Sequence, residues 1–434
     1  MTDPRREMMS PALAAERVAA GLAARRTREK RFRLYGRIAI GIALAFLVTL
    51  FASIFSKGIP GFFQHYVTLE VTLDSAKLDP AGDQSVQSLY DGDARGVIRK
   101  ALYEATGASG RSGRKAAGKL ISQGAEQRLR KAVLADPSIL DTTRTMTFAL
   151  DDDVDSFLRG FIKRETPEKD RRLNDKAIGY IDTLADKGLI SFAFSDYLIF
   201  GSASRNAEMA GIYGALIGSL LTLAVCLVLS FPIGVATAVY LEEFAPKNRI
   251  TELIEININN LAAVPSVVFG ILGLAIFIGV FGMPRSIPLI GGVVLALMTL
   301  PTIIISSRAA IRAVPPSIRD AALGVGASRV QTMLHHVVPL AMPGMLTGTI
   351  IGMAQALGET APLLMIGMVA FIVDVPGSVT DPGTVLPVQI FMWADFAERM
   401  FIQKTSAAIM VLLAFLIVMN AAAIFIRKKL ERRW

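Results

Sequence analysis

The stretch Pro315-Pro-Ser-Ile-Arg-Asp-Ala-Ala-Leu-Gly-Val-Gly-Ala-Ser-Arg-Val-Gln-Thr-Met-Leu-His-His-Val-Val-Pro339 is basic and rich in small residues, and it lies between two long apolar runs. Pro315 and Pro316 stop the helix before them, because the residue preceding a proline avoids the α region. Ser317 to Asp320 has the spacing of a capping box, in which the Ser hydroxyl takes one free N–H and the acid reaches back to another. A short helix through Ala321, Ala322 and Leu323 is expected, ended by Gly324 and Gly326. Ser328 to Gln331 repeats the box and predicts a second helix through His335 and His336 to Pro339. Two capped helices joined by a glycine turn form a compact projection that can push on a partner as a lever.

Outward from this loop the chain is mostly apolar runs. Crossing a bilayer takes roughly 20 apolar residues, since the hydrocarbon core is about 30 Å thick and a helix rises about 1.5 Å per residue. Six runs qualify: Ile38–Ser56, Gly211–Leu241, Ile256–Pro284, Ser286–Ser307, Met342–Val373 and Thr405–Ile426. Helices satisfy their own backbone in lipid. The fold class is therefore an all-α polytopic membrane protein of six transmembrane helices. The 52% hydrophobic and 19% charged composition agrees.

Lys and Arg set the orientation. The segment 1–37 carries ten Arg and Lys against four acids and is read as a cytoplasmic basic tail before an uncleaved anchor at 38–56. Six spans return the end of the chain, 427–434, to the cytoplasm, and that tail is again basic. The loop between spans four and five holds Arg308, Arg312, Arg319 and Arg329 against Asp320. The outer loop 374–404 holds more acids than bases. Only the loop between spans two and three runs against the trend, with four Glu against Lys247 and Arg249. The net charge of +9 is thus a topology signal of a multi-pass inner-membrane protein, not a sign of nucleic-acid binding. Cys226, the single cysteine, reads as a small buried hydrophobe. Three scattered His and one Cys make no metal or nucleophile constellation, so no enzyme activity is expected.

Residues 58–210 form a charge-dense insert that this orientation places outside the cytoplasm, with a core of five transmembrane helices following at 211–426. Tyr66–Leu73 alternates like a strand, with Val67, Leu69, Val71 and Leu73 on one face. Residues 95–105 and 124–135 read as amphipathic helices, Asp151–Ile162 as a helix with an acidic start, and 107–119 as a solvated basic loop. Together these predict one small α+β domain. Gly113 to Lys119 nearly matches a phosphate-cradling loop, but Leu120 stands where Ser or Thr must hold Mg²⁺ and no strand precedes it. The chain carries no ATPase of its own and no cofactor.

Glu359 is the one acid within the fifth run. An ionised side chain at bilayer depth costs about 2.5–3.5 kcal/mol on insertion scales, so it persists facing protein or water and marks a candidate path. Gly344, Gly348, Gly352 and Ala356 precede it at four-residue spacing, a stripe that lets another helix approach closely.

Asp320-Ala321-Ala322, Gly326 and Pro339 together resemble the EAA motif of ABC importer permeases. Tyr240-Leu-Glu-Glu-Phe244, Val264-Pro-Ser-Val-Val-Phe-Gly270 and Leu357-Gly-Glu-Thr-Ala-Pro-Leu-Leu364 look most like the phosphate permease PstA. The resemblance implies a type I importer permease whose motif helix docks on a separate cytoplasmic ATPase, which uses ATP and Mg. It also implies a second permease subunit in a heterodimer and an extracytoplasmic phosphate-binding protein. Asp320, Ala321, Ala322, Gly326 and Pro339 are then the coupling residues, and Gln355, Glu359 and Thr360 line the path. The motif departs from the family at Asp320, His336 and Val338, and Gln355 stands where phosphate permeases often carry Arg. Molybdate, sulfate or phosphonate are the alternative substrates. A membrane receptor signalling through 315–339 is the alternative class.

Overall fold

A computed structural model describes residues 11–430, so the ends of both basic tails, 1–10 and 431–434, lie outside the described residues. The chain forms two compact units, residues 1–56 and 57–434. The first is a single long helix that begins at Pro11 and carries the apolar run 38–56; it closes at Gly58, just inside the second unit. Among the described residues five helices are long and apolar enough to cross a membrane, or six if one bent pair counts as a single span.

In the second unit the insert is an α+β domain. β1 (Phe63–Thr72) lies between β2 (Thr143–Ala149) and β3 (Ile190–Phe194), all antiparallel. β1 pairs with β2 from Tyr66 opposite Ala149 to Thr72 opposite Thr143. Val67, Leu69, Val71 and Leu73 are buried, as a period of two requires. They meet Val97, Ile98 and Leu102 of the helix Ala94–Thr106, Leu129 of Gly124–Ala135, and Ile178 and Ile181 of Asp175–Asp186. The helix Asp152–Leu158 is capped by Asp151, whose side chain accepts from the Asp153 N–H.

The expected loop 107–119 is a correction: Gly110–Ala117 is a helix. Its composition disfavours a helix, but Gly113, Ala116 and Ala117 are buried, and a Cβ on Gly113 would lie 2.6 Å from the Tyr180 hydroxyl. Packing against the helix Asp175–Asp186 overrides propensity. Most of the near-motif, residues 113–117, is therefore wound into a helix and forms no phosphate cradle.

Span two runs Tyr213–Val239 and continues through a π-turn, Tyr240–Phe244. Span four, Pro288–Arg312, is its main neighbour and the most buried helix of the core. A Cβ on Gly292 would sit 2.5 Å from the Val225 Cβ, so the two helices pack backbone to side chain. Span three is not the continuous helix expected over Ile256–Pro284. Arg249–Ala262 and Ser266–Val280 meet at 101°. Pro265 lacks the N–H for an intrahelical bond and forces Val264 out of the α region.

Span five is likewise broken: one helix reaches Gly358, and a short second one covers Ala361–Met365. The outer loop 374–404 is also more than a loop. Leu386–Ala394 is a helix with Leu386, Val388 and Trp393 buried, tied to span two where Ser219 Oγ accepts from the Leu386 N–H at 2.8 Å. Span six begins earlier than expected, at Arg399, and Lys404 is a buried residue of it. The Lys404 ammonium donates to the Ala210 carbonyl at 2.9 Å.

Candidate coupling loop and translocation site

The projecting loop begins with a helix, Pro316–Gly324. The expected Ser317–Asp320 capping box is absent, because the helix starts two residues earlier and Pro315 takes the cap position with no side-chain bond. Pro316 suits the first helical position, because its fixed φ is helical and its missing N–H would have had no partner there. Arg319 holds the helix instead. Its guanidinium donates to the Ile311 and Val314 carbonyls at the end of span four, both at 2.9 Å, and to Glu243 Oε1 at 2.9 Å. Ala322 is buried; Asp320 and Ala321 are exposed. Val325 is 86% exposed, and Leu323, Val330 and Leu334 are exposed beside it, giving the projection an apolar outer rim.

Gly326 has φ +91°, a left-handed value, and no atom lies within 4 Å of where a Cβ would stand. Glycine is needed there for the backbone turn, not for space. After it the second box forms: Ser328 Oγ accepts from the Gln331 N–H at 3.2 Å, and Gln331 Oε1 accepts from the Ser328 N–H at 2.9 Å.

The second helix does not end at Pro339. It runs without a break from Arg329 to Gly358, 30 residues or about 45 Å. A π-turn at Met333–Val337 precedes the proline. The wider turn opens the ladder at the point where a proline ring would clash with a carbonyl one turn back. His335 and His336 are exposed on this turn.

Gly344, Gly348 and Gly352 face span four of the same chain. A Cβ on Gly344 would lie 2.6 Å from the Ala310 Cβ; one on Gly348 would collide with Ser306; one on Gly352 would rest in ordinary contact, 3.6 Å from Thr299 Cβ. Ala356 continues the buried stripe.

Glu359 is not in mid-helix, as the apolar run suggested, but at the break itself, with an extended backbone (φ −78°, ψ 122°). Glu359 and Thr360 are half-buried and Gln355 is exposed. Among the described residues no side chain pairs with the Glu359 carboxylate, and none joins it to Gln355. The break packs on the bent span three: a Cβ on Gly270 would stand 2.6 Å from Pro362 Cα. Two interrupted helices thus meet at one level of the core.

The acidic loop between spans two and three, anomalous by charge, is explained by its partners. Arg308 donates to Glu255 at 2.7 Å and to Glu242 at 3.2 Å, and Arg312 donates to Glu242 at 2.6 Å. With the Arg319–Glu243 bond, these pairs lock span two and the bent span three to span four and the projecting loop. The four Glu against the trend were the only sequence signal of this network.

A family model described as "Binding-protein-dependent transport system inner membrane component" matches residues 230–434, and a domain of unknown function, DUF3333, matches residues 19–168. The probable ABC transporter permease protein YqgI of Bacillus subtilis is 32% identical over 188 residues, covering 43% of this chain and 63% of its own length. The phosphate transport system permease protein PstA 1 of Mycobacterium tuberculosis (strain CDC 1551 / Oshkosh) is 29% identical over 226 residues, 51% of this chain and 72% of its own. The phosphate transport system permease protein PstC of Haemophilus influenzae is 31% identical over 232 residues, 47% of this chain and 72% of its own. The chain thus spans less than two thirds of YqgI and somewhat more than two thirds of the two phosphate permeases.

Proposed function

Because this chain belongs to the family of binding-protein-dependent transport inner membrane components, we propose that it is a permease subunit of an ATP-driven phosphate importer. It is a multi-pass membrane component without catalytic chemistry of its own. The observation that carries the proposal is the projecting loop of 316–337, whose first helix is fixed to span four by Arg319 and whose second, from Arg329, runs without a break to Gly358, next to Glu359. A cytoplasmic ATPase that closes on Asp320, Ala321 and the Val325 rim moves a rigid rod. The far end of that rod is the break where Gln355, Glu359 and Thr360 lie. ATP and Mg belong to the ATPase.

The basic residues around the loop and the N-terminal tail support cytoplasmic termini, with residues 58–210 outside, where a phosphate-binding protein docks. Arg249–Ala262 has no buried residue and exposes Ile250, Leu253 and Ile254, an apolar surface suited to a second permease subunit. Phosphate is supported by the PstA and PstC relatives.

The test is ATP-dependent uptake of phosphate, sulfate and molybdate into vesicles holding this chain with its co-purified subunits. Phosphate uptake is expected, and Glu359→Gln should change its rate or pH dependence while the subunits still co-purify. Uptake of molybdate or sulfate in place of phosphate sinks the substrate assignment. An unaltered profile for Glu359→Gln removes the carboxylate from the path.

A further inference from the structure

β3 is an edge strand, paired only with β1, with Phe194 opposite Phe63 and Phe192 opposite His65. Directly opposed residues share a sheet face, so Phe63, His65, Phe192 and Phe194 lie together. The Phe63 and Phe192 rings are 5.6 Å apart, Phe63 and Phe194 6.1 Å, and Phe62 and Phe194 6.4 Å. Further along β1 the same face carries Val67, Leu69 and Val71, which helices cover. At this end, among the described helices, only Asp152–Leu158 reaches it, through Asp155 on the His65 ring at 2.7 Å and the Arg159 guanidinium 5.2 Å from the Phe192 ring centre, and Phe192 is still 53% and Phe194 51% exposed. Phe200, just beyond β3, is 71% exposed, and Ile59, just before β1, is 51% exposed. An apolar cluster of this kind on a charge-dense domain marks a surface with a partner.

Its position identifies the partner. Phe62 follows the end of the apolar first helix, Gly58, by four residues. Its carbonyl accepts from the Ser195 N–H at 2.7 Å, next to β3. A Cβ on Gly61 would stand 2.5 Å from the Gln403 carbonyl in span six. Beyond Phe200, the Gly201 carbonyl accepts from the Tyr213 N–H, at the start of span two, at 3.2 Å. The aromatic face therefore stands level with the ends of the apolar helices, where rings settle between acyl chains and headgroups. Exposed Lys57, two residues before Ile59, adds a cation suited to lipid phosphates.

We propose that the aromatic end of the insert's sheet, Phe62, Phe63, Phe192, Phe194 and Phe200, is seated in the bilayer interface and anchors the insert to lipid. The insert is thereby held on the membrane surface through its sheet as well as through its chain connections. The inference rests on the membrane-spanning helices and is independent of which solute is carried.

Phe192→Cys and Phe200→Cys, each in a Cys226→Ser background, carry a nitroxide on the full chain in phosphatidylcholine–phosphatidylglycerol vesicles. Dissolved oxygen concentrates in lipid, and a nickel chelate stays in water. The expected result is that oxygen exceeds the chelate in relaxing the label at 192 and 200, with the reverse at Arg144→Cys, exposed at the opposite end of the sheet. A label at 192 or 200 that behaves like the one at 144 overturns the proposal. So does exclusion of both reagents, which means that protein covers the face. Should Phe192→Cys fail to fold, Phe200→Cys decides, since the Phe200 side chain is largely exposed on the protein surface.

Discussion

Within the insert, Asp151 and Asp152 lie near the carboxylates of Glu208 and Asp153. Burial, reinforced by the Glu208 charge for Asp151 and the Asp153 charge for Asp152, pushes both carboxyls up to about 7. Asp152 Oδ1 is buried with no hydrogen-bond partner, in keeping with a neutral acid. In an unfolded chain Asp titrates near 3.9. Between about pH 4 and 7 the folded protein therefore holds more protons than the unfolded one, and these two groups lower stability as pH rises through that window. Asp155 acts oppositely: burial raises it, but hydrogen bonds from His65 and Arg159 outweigh burial and hold it low, so its stabilisation is lost as pH falls. Asp151→Asn keeps the cap on the Asp153 N–H and removes one charge. Thermal unfolding of this variant should decline less between pH 5 and 8, by on the order of 1 kcal/mol at the upper end; an unchanged pH profile refutes the assignment. At Gly326 the conformation is at stake. A β-branched residue at φ +91° costs roughly 1–2 kcal/mol although the site is open. Gly326→Val should insert normally yet lose uptake, and Gly326→Asn, which tolerates left-handed backbone, should retain much of it. Normal uptake by the Val variant excludes this turn from coupling.

Between elements, the stripe on span five makes a graded prediction. A methyl at Gly348 strikes Ser306, whereas one at Gly352 only touches Thr299. Gly348→Ala should lower stability by about 1–3 kcal/mol, while Gly352→Ala should be close to neutral. Equal melting temperatures for the two variants in detergent would contradict the packing of spans four and five. The small-residue spacing was legible in the sequence because four-residue repeats map onto one helix face. The β1 alternation was legible because its period is two. The Ser328–Gln331 cap was legible because both partners lie within four residues. What stayed hidden depends on distant chain. The helix Gly110–Ala117 forms only against Tyr180, the buried helix Leu386–Ala394 only against Ser219, and the π-turn before Pro339 leaves no mark in composition. The Ser317 cap failed because the helix begins at Pro316, which places Ser317 inside the first turn instead of at the cap. The position of Glu359 was misread because an apolar run records hydrophobicity, not whether the helix inside it is continuous.

For the molecule as a whole, the sidedness of the insert is the claim most open to direct measurement. Cysteines at exposed Ser109 or Glu165, with Cys226→Ser, should react in intact cells with a thiol reagent that does not cross the inner membrane. Reaction only after that membrane is opened inverts the topology. The charge anomaly that clouded the sequence reading disappears in three dimensions, since Glu242, Glu243 and Glu255 each meet an arginine from span four or the loop beyond it.

Those arginines also carry a consequence in time. Arg308 lies 66 residues after Glu242, and Arg319 lies 76 after Glu243. At a synthesis rate of about 5–20 residues per second, each glutamate leaves the ribosome roughly 3–15 s before its counter-ion exists. During that interval the nascent chain presents an uncompensated acidic loop to the insertion machinery. On the proposed orientation the earlier, arginine-rich segment holds the chain in place until span four is made, and only then can the ion pairs close.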